Sequence, residues 1–306
     1  MSLFHQLSDT LLRHLPEPQF KALRSSYFAL RRKAEPLTRL IHGTFDTAQL
    51  RAHLEATLDD DFEILMVHGS VNRMAPAYRG NALELVQMLK ELCGPERTLA
   101  MPAFFFGDPK IGTVQQTFRH DPRYDLRRTA SQMGLFTELF RRTRGVVQSR
   151  HPVYRVAALG PLADALTGRD SDYIAPAGLG EGSPFAFMAR HKTRILGIGK
   201  SYHVMTQVHH VDELLGDRLP VPRLPREQRA QVAVRVLDQP VEYPLTLTDS
   251  GIQWRFNIDK LPHLLDDGEM QLWKFHNVPF FSADARRVTE RLLEQARHGR
   301  SLYDPP

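Results

Sequence analysis

The feature that most constrains the fold is the apolar run FEILMVHGS at residues 62–70, which ends in small polar residues. A run of that kind reads as a strand covered on both faces, the mark of a parallel sheet, entering a loop. ALELVQMLKELCG (82–94) follows as an amphipathic helix, with Gly94 at the C-cap position and Pro95 beyond it. TLAMPAFF (98–105) is a second strand, closed by Gly107-Asp108-Pro109, and GLFTELFRRTRG (134–145) is a helix bounded by glycines. VYRVAALG (153–160) and TRILGIG (193–199) are further apolar runs ending in glycine. Strands and helices alternating at these lengths imply βαβ units, hence an α/β fold with a largely parallel central sheet and helices on both faces.

The two ends of the chain read differently. Residues 1–45 form an N-terminal helical extension of two helices, separated by Pro16 and Pro18 and followed by Pro36. The second, with Phe20, Leu23, Tyr27 and Leu30 spaced by three and four on a basic background, packs on the body or on a second subunit. Lying on a membrane surface is its alternative. Residues 46–306 are one domain, within which 219–260 is a partly antiparallel excursion: 231–247 and 251–258 alternate, and Pro220 to Pro225 is the candidate linker. VTERLLEQARHG (288–299) closes the chain as a helix.

Composition excludes several classes of function. No stretch approaches the roughly 18 apolar residues of a membrane span, and the N-terminus lacks the apolar core of a signal peptide. The single cysteine, Cys93, excludes an intramolecular disulfide framework and a cysteine zinc cluster; the expectation is a cytoplasmic protein without a metal. The net charge of +5 owes much to residues 119–155, which hold nine arginines, no lysine and three acids. Arginine without lysine suits planar recognition of phosphate or carboxylate, and equally a solvated helix face. No recognition helix, zinc finger or RNP sequence accompanies it, so nucleic acid is not the expected partner.

In parallel sheets, ligands bind beyond the carboxyl ends of the strands. His68-Gly69-Ser70 ends one strand there, and the loop after TRILGIG leads to Thr206-Gln-Val-His-His-Val-Asp-Glu213. If Thr206 caps a helix, His209 lies in its first turn. His209 and Asp212 are three apart, as are His210 and Glu213, so each histidine shares a face with an acid that can fix its tautomer. One of the two histidines is expected to be an ordinary paired residue. Gly69 permits close approach to the backbone. Thr129-Ala-Ser-Gln-Met-Gly134 precedes a helix as a cap or an anion site, and Gln148-Ser-Arg-His-Pro152 groups polar residues before a strand. Cys93 has no basic neighbour in sequence to activate it.

Taken in order, VHGSV, RGNALELVQML, RTLAMPAF, YDLRRTASQMG, TELFRR, VVQSRHPVYRVAALG, EGSPF and TQVHHVDE resemble the aminoglycoside 3-N-acetyltransferase (antibiotic N-acetyltransferase) family, which is distinct from the GNAT enzymes. The resemblance covers roughly residues 62–275. It implies a three-layer α/β/α sandwich, an acetyltransferase domain over 46–306, and acetyl-CoA as cosubstrate without a covalent acyl-enzyme. His209 matches the family's general base and Asp212 its Thr-x-x-His-x-x-Glu acid; Asp259 is a rival supporting acid. His68, Gly69 and Ser70, Thr129 and Ser131, and Ser149 and His151 match loops that surround CoA. Gly69, Ala130, Gln148 and Arg155 depart from the family's serine, proline, arginine and serine.

The expected acceptor is an amine-bearing small molecule. An antibiotic-resistance role calls for an acidic pocket, whereas this basic chain leans toward an amino sugar carried on a nucleotide, lipid or polysaccharide. The alternative is a non-catalytic CoA- or partner-binding protein of the same fold. A homodimer is compatible with the sequence.

Overall fold

The structure, a computed structural model, describes residues 34–168, 178–219, 229–236, 239–246 and 256–304. Residues 1–33 and the proposed linker at 220–225 lie outside them, as does 251–255 of the second expected strand of the excursion. In chain order the helices are α1 (Glu35–His42), α2 (Thr47–Thr57), α3 (Val71–Met74), α4 (Ala82–Cys93), α5 (Val114–His120), α6 (Leu135–Arg141), α7 (Ala163–Thr167), α8 (Pro184–Arg190), α9 (Gln207–Leu215), α10 (Leu261–Leu264) and α11 (Ala285–Arg297). The strands are β1 (Ile64–Gly69), β2 (Thr98–Pro102), β3 (Arg123–Asp125), β4 (Val147–Gln148), β5 (Val156–Leu159), β6 (Thr193–Ile198), β7 (Arg229–Val236), β8 (Gln239–Thr246), β9 (Met270–Phe275) and β10 (Val278–Asp284).

Local chemistry accounts for the helix boundaries. The Asn81 side chain accepts from Leu83 N and Glu84 N, and Gly94, at φ 61°, ends the same helix. Ser183 caps α8 ahead of Pro184, and Asp284 accepts from Arg287 N to start α11. Asp46 and Gln49 close a reciprocal capping box on α2.

Seven strands form the main sheet in the order β4-β5-β2-β1-β6-β10-β9. β1 runs parallel to β2 and β6, whereas β5 and β10 are antiparallel to both of their neighbours. Five strands therefore share one direction and two oppose it, which refines the largely parallel expectation. Each reversed strand is entered from its neighbour by a short connection. For β9–β10 that connection is the two-residue turn His276-Asn277, with both residues at positive φ.

Alternate side chains feed two cores. Ile64, Met66, Ile195 and Phe281 face α7, α8, α9 and α11; Leu65, Val67, Leu196 and Phe280 face α2, α4 and α6. This is the three-layer sandwich, and it explains why the central strands are apolar on both faces. A third, smaller core of Phe118, Tyr124, Leu126, Val153, Val232, Tyr243 and Leu245 belongs to the sheet β3-β7-β8. β7 and β8 are antiparallel, as expected for the excursion, and β3 pairs with β7 in parallel.

Candidate active site

β1, β2 and β6 end on one edge of the sheet, and the site is assembled there. Ser70 N donates to Ile198 O at 3.0 Å, tying the end of β1 to the end of β6. Gly199 (φ 65°) then turns the chain where a Cβ would meet Met74 Cγ at 2.8 Å and Ser70 O at 2.9 Å, so the crossing demands glycine. A short 3-10 turn, Tyr202–Val204, delivers the chain to α9.

Thr206 precedes α9 but does not cap it through its side chain: its backbone is already helical, and its hydroxyl donates to Val204 O at 3.5 Å. The expected capping bond is corrected accordingly. α9 is anchored instead by the buried Gln207, whose Nε2 donates to Phe185 O and Thr289 Oγ1, both at 3.1 Å.

The neighbouring histidines have opposite environments. His210 is buried, its Nδ1 donates to Leu179 O at 2.6 Å, and burial lowers its pKa despite that bond. Its role is to hold α9 to the loop before α8. His209 has a side chain 41% exposed, and its Nδ1 lies 3.0 Å from Asp212 Oδ2. With Nδ1–H donating to the carboxylate, Nε2 of the neutral ring is left as a proton acceptor. The Tyr303 hydroxyl donates to the same carboxylate oxygen at 2.8 Å. The Phe256 ring lies 4.8 Å from the His209 ring and 5.5 Å from that of Tyr303.

Tyr303 comes from far along the chain. A bridge between Phe256 and Tyr303, Asn257 N donating to Leu302 O (2.7 Å), and Lys260 Nζ donating to Tyr303 O (2.8 Å) place it. No motif in the sequence marked this tyrosine. Asp259, the rival supporting acid, lies in the same segment but is bonded to His203 Nε2 at 2.8 Å, with Tyr202 OH at 3.4 Å. The structure brings Asp212 to His209 and gives Asp259 to His203, whose Nδ1 lies 2.8 Å from Ser201 Oγ.

The other expected site residues lie at or near the ends of β1 and β2 and before the start of β5, and divide by exposure. His68 is buried; burial, with the nearby Lys200 charge adding to it, lowers its pKa to about 3, so the ring is neutral. Gly69 is open to close approach, but the group that approaches is the Phe136 ring, 2.5 Å from where a Cβ would stand. Ser149 and His151 are also buried: Ser149 Oγ accepts from Val156 N (2.9 Å), and His151 Nδ1 accepts from Val153 N (3.1 Å) and Tyr154 N (2.9 Å). Ser70, Thr129 and Ser131 are half-buried.

The segment 129–134 is held by residues that the sequence reading did not assign to it. Arg155 is fully buried, and its guanidinium donates to Ala103 O (3.1 Å), Leu126 O (2.7 Å) and Thr129 O (3.0 Å). Gln132 latches the loop after β2, with Oε1 accepting from Phe106 N (2.7 Å) and Nε2 donating to Gly107 O (2.6 Å). Glu138 accepts from Ser131 N (2.8 Å), Arg141 and Arg142. Against a desolvation that pushes the other way, those partners hold its carboxyl at about 2. Of the nine arginines, Arg141 and Arg155 are therefore buried structural groups rather than free anion binders. Cys93 is buried and its thiol is pushed up to about 12 by that burial, which makes it inert. Among the described residues no group of three or more His, Cys, Asp or Glu could hold a metal ion, and no helix is long and apolar enough to cross a membrane.

The sequence profile of the aminoglycoside 3-N-acetyltransferase family matches residues 66–296. The Serratia marcescens aminoglycoside N(3)-acetyltransferase III is 26% identical over 205 residues, 64% of this chain and 69% of that enzyme. Across further curated type III relatives the matched segment is about half of their length, 54%. Among solved structures, aminoglycoside acetyltransferase AAC(3)-Xa superposes with TM-score 0.68 at 21% identity, over 87% of this chain and 98% of its own. The binary complex of AAC-IIIb with CoASH does so with TM-score 0.65 at 20% identity, over 86% and 100%.

Proposed function

The chain belongs to the aminoglycoside 3-N-acetyltransferase family, and on that premise we propose that it transfers acetyl from acetyl-CoA directly to an amine of an amino-sugar acceptor, with His209 as general base. The observation that carries the reading is the chain Tyr303–Asp212–His209, which leaves Nε2 of the half-exposed His209 as the basic atom.

In the reaction, His209 Nε2 takes a proton as the acceptor nitrogen attacks the thioester carbonyl. A C–N bond forms, the C–S bond breaks, and CoA leaves as thiolate. Asp212 keeps the imidazole in the accepting tautomer and stabilises the imidazolium that forms; Tyr303 fixes Asp212. A base placed this way contributes about 10²–10⁴-fold, and holding the two substrates together contributes the rest.

CoA fits the opposite side. The half-buried Ser70, Thr129 and Ser131 offer hydroxyls to its pantetheine and phosphates, whereas the buried His68, Ser149 and His151 shape that wall from behind. The acceptor side is acidic rather than basic: Asp212 lies at the base itself, and Asp259, 57% exposed, follows three residues after Phe256, the ring against His209. This local charge outweighs the net charge of the chain and supports an acceptor that carries cationic amines of its own, as an aminoglycoside does.

The test is thiol release from acetyl-CoA in the presence of a panel of amino sugars and aminoglycosides. Loss of release in His209→Ala with CoA binding intact supports the assignment; equal activity in that variant refutes it. CoA binding without release from any acceptor would leave the non-catalytic reading.

A further inference from the structure

His203 has a partner on each ring nitrogen: Asp259 Oδ1 lies 2.8 Å from Nε2, and Ser201 Oγ lies 2.8 Å from Nδ1. An ionised carboxylate can only accept, so Nε2 carries the hydrogen of the neutral ring. The lone pair is then on Nδ1, and the Ser201 hydroxyl is the donor to it. Serine, imidazole and carboxylate stand in series, the order of a Ser-His-Asp hydrolase with the two ring nitrogens exchanged.

The local fold holds this series in place. Ser201 heads the 3-10 turn Tyr202–Val204, where a serine oxygen ordinarily accepts from a backbone N–H of the turn. Here that bond is not made, and the hydroxyl is turned to the imidazole instead. The Tyr202 ring stacks on the same imidazole, with centroids 4.5 Å apart, and Asn257 Oδ1 accepts from Asp259 N at 3.2 Å. With Gly199 (φ 65°) bending the chain after β6, strand, glycine turn and helical turn carry the serine at the sheet edge. Other α/β enzymes raise a nucleophile in that way. The Tyr202 N–H, directly after the serine, has no acceptor among the described residues and can serve a developing oxyanion. Ser201 is half-buried, and the side chains of His203 and Asp259 are 23% and 57% exposed, which leaves the group open to a small substrate.

We propose that Ser201, His203 and Asp259 form a second reactive centre, which hydrolyses short-chain acyl esters through an acyl-serine. Ser201 Oγ bonds to the ester carbonyl carbon as its proton passes to His203 Nδ1. The C–O bond to the alcohol breaks, and the alcohol leaves with that proton. Water then gives a proton to Nδ1 and attacks the acyl-serine; the acid is released as Ser201 recovers its hydrogen. Asp259 stabilises the imidazolium in both halves. Acetyl-CoA takes no part, so this activity stands or falls apart from the acetyl-transfer reading.

The test is hydrolysis of p-nitrophenyl acetate by the full chain, together with labelling by a fluorophosphonate, which a reactive serine attacks with loss of fluoride and which water does not clear. Hydrolysis is expected, with the phosphonate found by mass spectrometry on the peptide that contains Ser201. Ser201→Ala and His203→Gln should each lower the rate by about 10²–10⁴-fold and abolish labelling, with unfolding midpoints unchanged. Wild-type chain no faster than free imidazole at the same concentration overturns the proposal. So does a label on any residue other than Ser201, or a Ser201→Ala chain that hydrolyses the ester as wild type does. Where Ser201→Ala fails to fold, the position of the label on the wild-type chain decides by itself.

Discussion

Histidines stand in opposite settings around the candidate site. On the base side, His209 is 41% exposed and touches Asp212 and an aromatic ring, with Tyr303 behind. Where β1 and β2 end and β5 begins, His68 and His151 are buried, and Arg155 and Gln132 bind backbone atoms. Histidine near a strand end thus stands half-exposed beside an acid on one side and is buried architecture on the other. Burial and the bonding partner separate the two, and neither is written in a motif.

The sharpest way to break this contrast is to exchange the phenotypes. His209→Ala should cost about 10²–10⁴-fold in turnover and leave thermal unfolding where it was. Arg155→Met should do the reverse first. Leaving the carbonyls of Ala103, Leu126 and the half-buried Thr129 without this donor is expected to remove about 2–4 kcal/mol of stability, read as a lowered midpoint in urea, with activity failing only as the loop loosens. If Arg155→Met keeps its midpoint, the architectural half of the comparison is wrong.

Acid tests the buried wall next. His68 has a folded pKa lowered to about 3 from an ordinary 6.5, so the unfolded chain binds the extra proton between those values. Its contribution to stability is therefore full above about pH 6.5 and is lost as pH falls toward 3, at about 1.4 kcal/mol per unit. In a pH series of unfolding midpoints, His68→Gln should flatten that slope; an unchanged slope removes His68 as its source.

Two smaller changes grade the base side. Asp212→Asn should slow turnover by about tenfold or more, because an amide can present its N–H to the ring and turn the tautomer round. Tyr303→Phe deletes one hydrogen bond to a carboxylate that keeps its histidine, worth about 1 kcal/mol or about fivefold in rate. Equal losses in both variants would mean that Tyr303 touches the substrate itself.

Much of the fold was legible because hydrophobic period and caps are local. The 62–70 run became β1, 82–94 became α4 with Gly94 at its end, and 134–145 became α6. The β9–β10 hairpin was missed since its turn, His276-Asn277, contains neither glycine nor proline. At the site, the spacing of His209 and Asp212 is a helical period and could be read directly. The fate of Asp259 could not, because it depends on where the 3-10 turn sets His203. Tyr303 and Arg155 were invisible for the same reason: their partners lie tens of residues away, and only tertiary structure introduces them.

The parallel heart of the sheet also sets a timetable. β1 needs β6 at its side, and the Lys192 N–H that bonds Glu63 just before these strands is 129 residues downstream. Pairings that distant are slow to nucleate, whereas the β7–β8 and β9–β10 hairpins close locally. A nascent chain on the ribosome therefore carries β1, apolar on both faces, while a further 129 residues are made before that partner emerges. In this protein the stretch most diagnostic of the fold is also the one most exposed to aggregation, and expression should respond to chaperone supply and to slower translation more than to substitutions in the hairpins.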